Sequence, residues 1–224
     1  MRSAAFLLSA LLFLSCNGPK QTVLAIWNNP DKPVYGTQPS VFIMVLTANL
    51  PARNQLETDI LAQAEKMGLK ATTSVKALGP MNVGKDFPAQ AILEKAQSMG
   101  FQTIFTVAVK DVKSETHFVK ASENYYQPMN YGYYNRFDAY YNGYWGGPWA
   151  GIGFGNLSGF TPSYTTEKKT LFMESNLYAV NSKDLLLSIQ SKAVDPQNLE
   201  KESKKFSENI LSALKEGKKM ANLK

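Results

Sequence analysis

Val41-Phe42-Ile43-Met44-Val45-Leu46 is an unbroken apolar run, closed in front by Pro39 and behind by Pro51. Strand formers fill it and no polar residue alternates with the apolar ones, so the pattern predicts a strand over 40–48 that is covered on both faces. The segment that follows supplies one cover. Leu56, Ile60, Leu61, Ala64 and Met67 recur at helical spacing, Glu57, Asp59, Glu65 and Lys66 fall on other faces, and Gly68 is placed as a C-terminal stop.

Working outward, Lys70 to Val75 reads as a second, shorter strand. After a Gly/Pro loop, Asp86 is placed to cap a helix with Pro88 in its first turn, Ile92, Leu93, Ala96 and Met99 facing inward, and Gly100 at its end. Phe101 to Val109 begins a third strand, which runs on through Lys110 to Val119 as it turns polar. The order strand, helix, strand, helix, strand implies parallel pairing with right-handed crossovers. Beyond an aromatic interruption, Leu171, Met173, Leu177 and Ala179 share one face of a strand, and Asn181-Ser182-Lys183-Asp184 makes a turn. Leu185, Leu187, Ile189 and Ala193 share one face of the antiparallel partner. Asp195-Pro196 reads as the cap and first position of a last helix, with Leu199, Phe206, Ile210, Leu211 and Leu214 as its buried stripe and Gly217 as its stop. Glu200 and Lys204 form a favourable pair on its surface. The fold expected is a single α/β domain over residues 40–217, with a mixed sheet of about five strands covered by three helices, an insertion at 124–164 and a basic tail at 218–224.

The start of the chain has a different character. Arg2, the apolar run Ala4 to Leu14, and Ser15 before Cys16 have the layout of a secretory signal, and the run is shorter than the roughly 20 residues that a spanning helix needs. Leu12-Phe13-Leu14-Ser15-Cys16 resembles the lipobox of bacterial lipoproteins, in which the cysteine thiol is joined to diacylglycerol and becomes the acylated N-terminus. Cys16 is the only cysteine, so no disulfide competes for it. Residues 1–15 are therefore expected to be removed, and residues 16–39, with Gly18, Pro19, Pro30, Pro33, Gly36 and Pro39, to form a lipidated tether in which Val23 to Trp27 has the pattern of an edge strand. Several acyl chains hold a protein to a bilayer durably without crossing it. Asn17, rather than aspartate, after the cysteine leans towards the outer membrane by proteobacterial sorting logic.

Lys and Arg number 24 against 18 Asp and Glu, and the excess is gathered at Lys201, Lys204, Lys205, Lys215, Lys218, Lys219 and Lys224. The plainer interpretation is the solvated face of the last helix; the alternative is contact with anionic lipid headgroups, and export argues against nucleic acid as a partner. Gly79 to Lys85 matches Gly-x4-Gly-Lys, yet Asp86 stands where a hydroxyl should hold magnesium, and Phe87-Pro88 delays the helix whose amides should cradle phosphate. Nucleotide binding is accordingly not expected. His117 is the sole histidine; with Asp111 and Glu115 on the same side of a strand it could form an acid/base or metal cluster, but no nucleophile or second ligand set accompanies it. No Gly-x-Ser-x-Gly element occurs. No catalytic residue, metal or cofactor is assigned.

Residues 124–164 hold nine of the eleven tyrosines and eight of the fifteen glycines, with Arg136 and Asp138 as the only charges. Glycine raises the cost of ordering while the rings demand cover, so this composition argues against a helix or an ordinary core segment. Tyr140, Tyr141, Tyr144, Trp145 and Trp149 are the candidate surface for a ligand or partner: a glycan stacked on their faces, a lipid interface or an envelope protein. The plainer alternative is a flexible hairpin tip whose rings dock loosely on the domain or on a second copy.

The succession of buried strand, Arg53-Asn54 with Leu56-Glu57, Gly68 before a short strand, Gln102-Thr103-Ile104-Phe105, a Tyr/Gly-rich interruption, Glu174-Ser175-Asn176-Leu177-Tyr178 and Leu185-Leu186-Leu187 resembles small bacterial envelope lipoproteins of unknown function. That resemblance implies an α/β fold and an envelope location over roughly residues 41–217 and brings no catalytic residues. The function expected is that of a non-enzymatic, lipid-anchored interaction or scaffold module. The alternative is a glycan- or peptidoglycan-binding protein; cleavage is disfavoured because the insertion offers only Asp138, with Glu123 at its edge, where hydrolysis needs two carboxyl groups.

Overall fold

The computed structural model describes residues 21–32, 40–80, 87–115, 135–146 and 168–221. These form one mixed sheet of six strands with helices on both faces. The strands are β1 (Gln21–Asn28), β2 (Val41–Leu46), β3 (Ala71–Thr73), β4 (Thr103–Glu115), β5 (Lys168–Ala179) and β6 (Leu185–Val194), in the spatial order β1-β6-β5-β4-β2-β3. β2 pairs in parallel with β3 and β4, and the other three pairings are antiparallel. All six residues of β2 are buried, as expected for a strand with helices on either side.

The helices are α1 (Leu50–Lys66), α2 (Ser74–Leu78), α3 (Ala89–Ser98), α4 (Phe137–Gly146) and α5 (Leu199–Ala221). The Asn49 side chain accepts the Ala52 N–H at 2.9 Å to cap α1, and Gly68, at φ 73°, lets the chain turn away after it. One core layer joins Val41, Ile43, Val45, Val107 and Met173 to Leu56 and Ile60 of α1 and to Phe206 and Ile210 of α5. The opposite layer joins Phe42, Met44, Leu46 and Ile104 to Ile92 and Leu93 of α3 and to the aromatic residues of α4.

The edge strand expected over Val23 to Trp27 is present and longer, since Gln21–Asn28 hydrogen-bonds along β6. Several other expectations are corrected. Two helices beyond the expected three are present, α2 and α4, and α4 lies inside the glycine-rich interruption. Pro88, not Asp86, occupies the cap position of α3, without a side-chain capping bond; Asp86 lies outside the described residues. Leu185 packs on the α3/α4 side while Leu187, Ile189 and Ala193 face α1 and α5, because the β5–β6 register shifts between Leu177 and Tyr178. The last helix is capped by Asn198, whose Oδ1 accepts the Lys201 N–H at 2.9 Å; Asp195 sits earlier, in the left-handed region at φ 52°. That helix passes through Gly217 and reaches Ala221, so Gly217 does not stop it and residues 218–221 are not a tail. The continuation of the third strand over 116–119 lies outside the described residues.

Candidate functional site

Helix α4 and the sheet face beneath it gather the most unusual chemistry among the described residues. Phe137, Tyr140, Tyr141 and Tyr144 stand at i, i+3, i+4 and i+7, the spacing of one helical face, and each is 0% exposed. Their cover is other rings. Phe137 lies 5.6 Å from Tyr141 and 5.7 Å from Tyr178, Tyr140 lies 5.9 Å from Tyr178, and Tyr144 meets Trp145 edge-on at 5.2 Å. Aromatic contacts in this range add to the burial of the rings themselves. The start of the helix is tied to the β5–β6 turn: the Phe137 N–H donates to Lys183 O at 3.0 Å and the Leu185 N–H to Asn135 O at 2.9 Å. Arg136 Nε and Lys183 Nζ sit 3.3 and 3.9 Å from the carboxylate of Asp138. Burial alone would raise the Asp138 carboxyl, but the Arg136 hydrogen bond, the Ala139 N–H and both cations outweigh it and hold it below its usual range.

The sheet beneath α4 is polar where a core layer is ordinarily apolar. Thr106, Lys110, Glu174 and Asn176 are each 3% exposed or less. Lys110 Nζ lies 5.2 Å from the centre of the Tyr140 ring, and the Tyr140 hydroxyl is 3.4 Å from Glu174 Oε2. Burial pulls the Lys110 ammonium below its ordinary value, and the Glu174 carboxylate opposes that shift. Both polar side-chain atoms of Asn176, the Tyr144 hydroxyl and the indole N–H of Trp145 are buried without a hydrogen-bond partner among the described residues. The Tyr141 hydroxyl, by contrast, donates to Phe87 O at 2.8 Å. Burial pushes the Tyr144 hydroxyl well above its ordinary value.

A second buried charge repairs the sheet. β3 stops at Thr73 and leaves the far half of β2 without a neighbouring strand on that side among the described residues, and the Glu57 carboxylate fills the place. Its Oε1 accepts the Val45 N–H at 3.0 Å and the Ser74 hydroxyl at 2.5 Å, while Oε2 accepts the Val75 N–H at 3.0 Å. Burial raises the Glu57 carboxyl, against the pull of these donors and of Arg53. Arg53, 2% exposed, reaches Gly79 O at 3.3 Å; burial lowers its guanidinium, opposed by Glu57 and then by Tyr141.

These placements sort the residues expected from sequence. Tyr140, Tyr141 and Tyr144 form core rather than surface, because their helical spacing turns all three towards the sheet, and they cannot present a ring face to a ligand. Trp145 is half-buried against the same core, and Trp149 and Cys16 lie outside the described residues. Of Asp111, Glu115 and His117, only the Asp111 side chain is described, half-buried on β4 opposite Phe172, and His117 lies outside the described residues. Among the described residues no group of three His, Cys, Asp or Glu side chains is placed to hold a metal ion. No helix among them is long and apolar enough to cross a membrane. A small cleft between the sheet and the start of α5, lined by Leu56, Met173, Leu199 and Phe206, has about 20 Å³ of open space, room for one water. Sequence reasoning missed Arg53, Glu57, Lys110, Glu174 and Asn176 as buried groups. The available signal was a polar residue at an inward position of a strand or helix face.

No family model and no curated protein matches the chain. Among solved structures, the PelC dodecamer of Paraburkholderia phytofirmans in space group P6 is similar at 13% identity, over 87% of this chain and 97% of that chain, with a TM-score of 0.45. A substituted PelC dodecamer from the same organism, in space group C2, is similar at 11% identity over 88% and 98%, with a TM-score of 0.42.

Proposed function

We propose that the chain is a lipid-anchored protein of the bacterial cell envelope, on an outer membrane facing the periplasm, and that its α/β domain serves as a non-enzymatic interaction or scaffold module. One observation carries this reading: a signal-like leader runs into the only cysteine of the chain, five residues before the first strand of the sheet. An acylated Cys16 would thus hold the domain against the bilayer on a very short connection. The buried charges support a structural role, since Glu57 completes a strand edge and Lys110 and Glu174 lie closed beneath α4. Resemblance to envelope lipoproteins of unknown function points the same way.

Fractionation of cells tests this. The wild-type protein should remain with membranes through a high-salt wash, and the Cys16→Ser variant should leave them or retain its leader. Equal membrane retention of a processed Cys16→Ser protein would remove the lipid anchor. The glycan-binding alternative has lost three of its five rings to the core and depends on Trp145 and Trp149. Unchanged peptidoglycan co-sedimentation after Trp145→Ala and Trp149→Ala together would leave it without support.

A further inference from the structure

Only Asn17-Gly18-Pro19-Lys20 separates Cys16 from the first residue of β1. Five residues span at most about 18 Å, so a lipid on Cys16 is confined to that distance from Gln21. Gln21 is itself fixed to the first turn of α5. Its Nε2 donates to the Glu202 backbone O at 2.9 Å and to Glu202 Oε2 at 2.6 Å, and its Oε1 accepts from Asn209 Nδ2 at 3.5 Å. From that turn onward α5 exposes Glu200, Lys201, Lys204, Lys205, Glu208 and Lys215, while Phe206, Ile210 and Ala213 face the sheet. The exposed face is therefore basic, three of its lysines lie in the first two turns, and Lys20 adds a fourth positive charge close to the anchor.

We propose that this solvent face of α5 docks on anionic phospholipid headgroups of the bilayer that holds Cys16, fixing the orientation of the domain on the membrane. The proposal rests on the lipid-anchored reading given above. Charge complementarity and the short covalent reach from the anchor select this occupant. A lysine close to an anionic leaflet gains an attraction that corresponds to about a fivefold preference, and the effect decays within about 10 Å, so lysines held near the anchor benefit most. The acyl chains alone would secure attachment; the helix face would decide which side of the domain is turned away.

Amine labelling of the full-length, processed protein in floated vesicles tests the proposal. The protein is placed in vesicles of phosphatidylglycerol mixed with phosphatidylcholine, and in phosphatidylcholine alone. Lysine modification by a membrane-impermeant acetylating reagent is then followed residue by residue. Lys201, Lys204 and Lys205 should react about fivefold more slowly in the anionic vesicles, and about 0.5 M KCl should restore their rates. Lys95, exposed on α3 at the opposite sheet face, should react equally in both. Protein that floats with both vesicles but labels α5 at the same rate in each would overturn the docking face and leave the anchor intact. Slowing that is equal in both compositions, or insensitive to salt, would assign the cover to protein contacts and overturn it as well. Failure to float with either vesicle would reject the anchor, and the docking face with it.

Discussion

Tyr141 and Tyr144 sit one turn apart on the same buried face and end in opposite circumstances. The hydroxyl of Tyr141 has a carbonyl partner at 2.8 Å, whereas that of Tyr144 is buried with none among the described residues. A buried hydrogen bond contributes about 1 kcal/mol net, while an unpaired buried hydroxyl costs about 1–3 kcal/mol. Tyr141→Phe should therefore lower the urea midpoint, by about 1 kcal/mol of stability, and Tyr144→Phe should raise it; the reverse order would contradict the hydrogen-bond assignment. Lys110 and Glu174 make a sharper case. Lys110→Met alone removes the cation that opposes the buried Glu174 carboxylate and should lower the urea midpoint, and adding Glu174→Leu should recover most of that loss in the same denaturation assay. A double variant as unstable as the single one would mean that the two charges do not compensate each other. These residues explain why the sequence was misleading at this scale. Tyrosine and tryptophan suit both half-wet surfaces and cores, so composition could not choose between them. The spacing Phe137, Tyr140, Tyr141, Tyr144 could have done so, had the nearby glycines not been given more weight.

Helix α4 depends on its attachment to the β5–β6 turn, where Asp138 faces Arg136 and Lys183, and Asp184 pairs with Lys32. The Lys32 hydrogen bond, followed by that from the Ser182 hydroxyl, holds the Asp184 carboxyl below its ordinary range, and Asp138 is lowered as well. A carboxyl with a depressed folded-state pKa contributes stability that is present above its unfolded value, near 3.8, and lost as pH falls through the folded value. The melting temperature of the wild-type protein should thus fall more steeply between about pH 4 and pH 2 than that of the Asp138→Asn, Asp184→Asn double variant. Parallel acid profiles would remove these two groups from the attachment. At the element scale most of the sheet was legible, because Val41 to Leu46 is a short run of strand formers between two prolines and the 171–193 hairpin alternates over most of its length. Leu185 escaped because a register shift, invisible in simple alternation, turns it to the other face. The cap of α5 escaped because Asp195 and Asn198 both suit that role, and the Asn198 bond to the Lys201 N–H decides between them.

For the whole molecule, the sheet carries two different layers. Both have an apolar centre; the one bounded by α1 and α5 carries Glu57 at the β2 edge, and the other adds Lys110, Glu174 and Asn176 under a helix of tyrosines. The first residue of the edge strand β1, Gln21, bonds to Glu202 in the first turn of α5, so the start of β1 and that helix lie together. The proposed location rests on sequence alone, because a leader and one cysteine are local, contiguous signals. The contact surface could not be read there, because it depends on which rings the fold draws inward, and three of five proposed contact residues went to the core. Intact-mass spectrometry of the protein extracted from envelopes tests the central claim most directly. The predicted result is a chain that begins at Cys16 and carries diacylglycerol on its thiol. A chain that keeps Met1 and an unmodified Cys16 would contradict it.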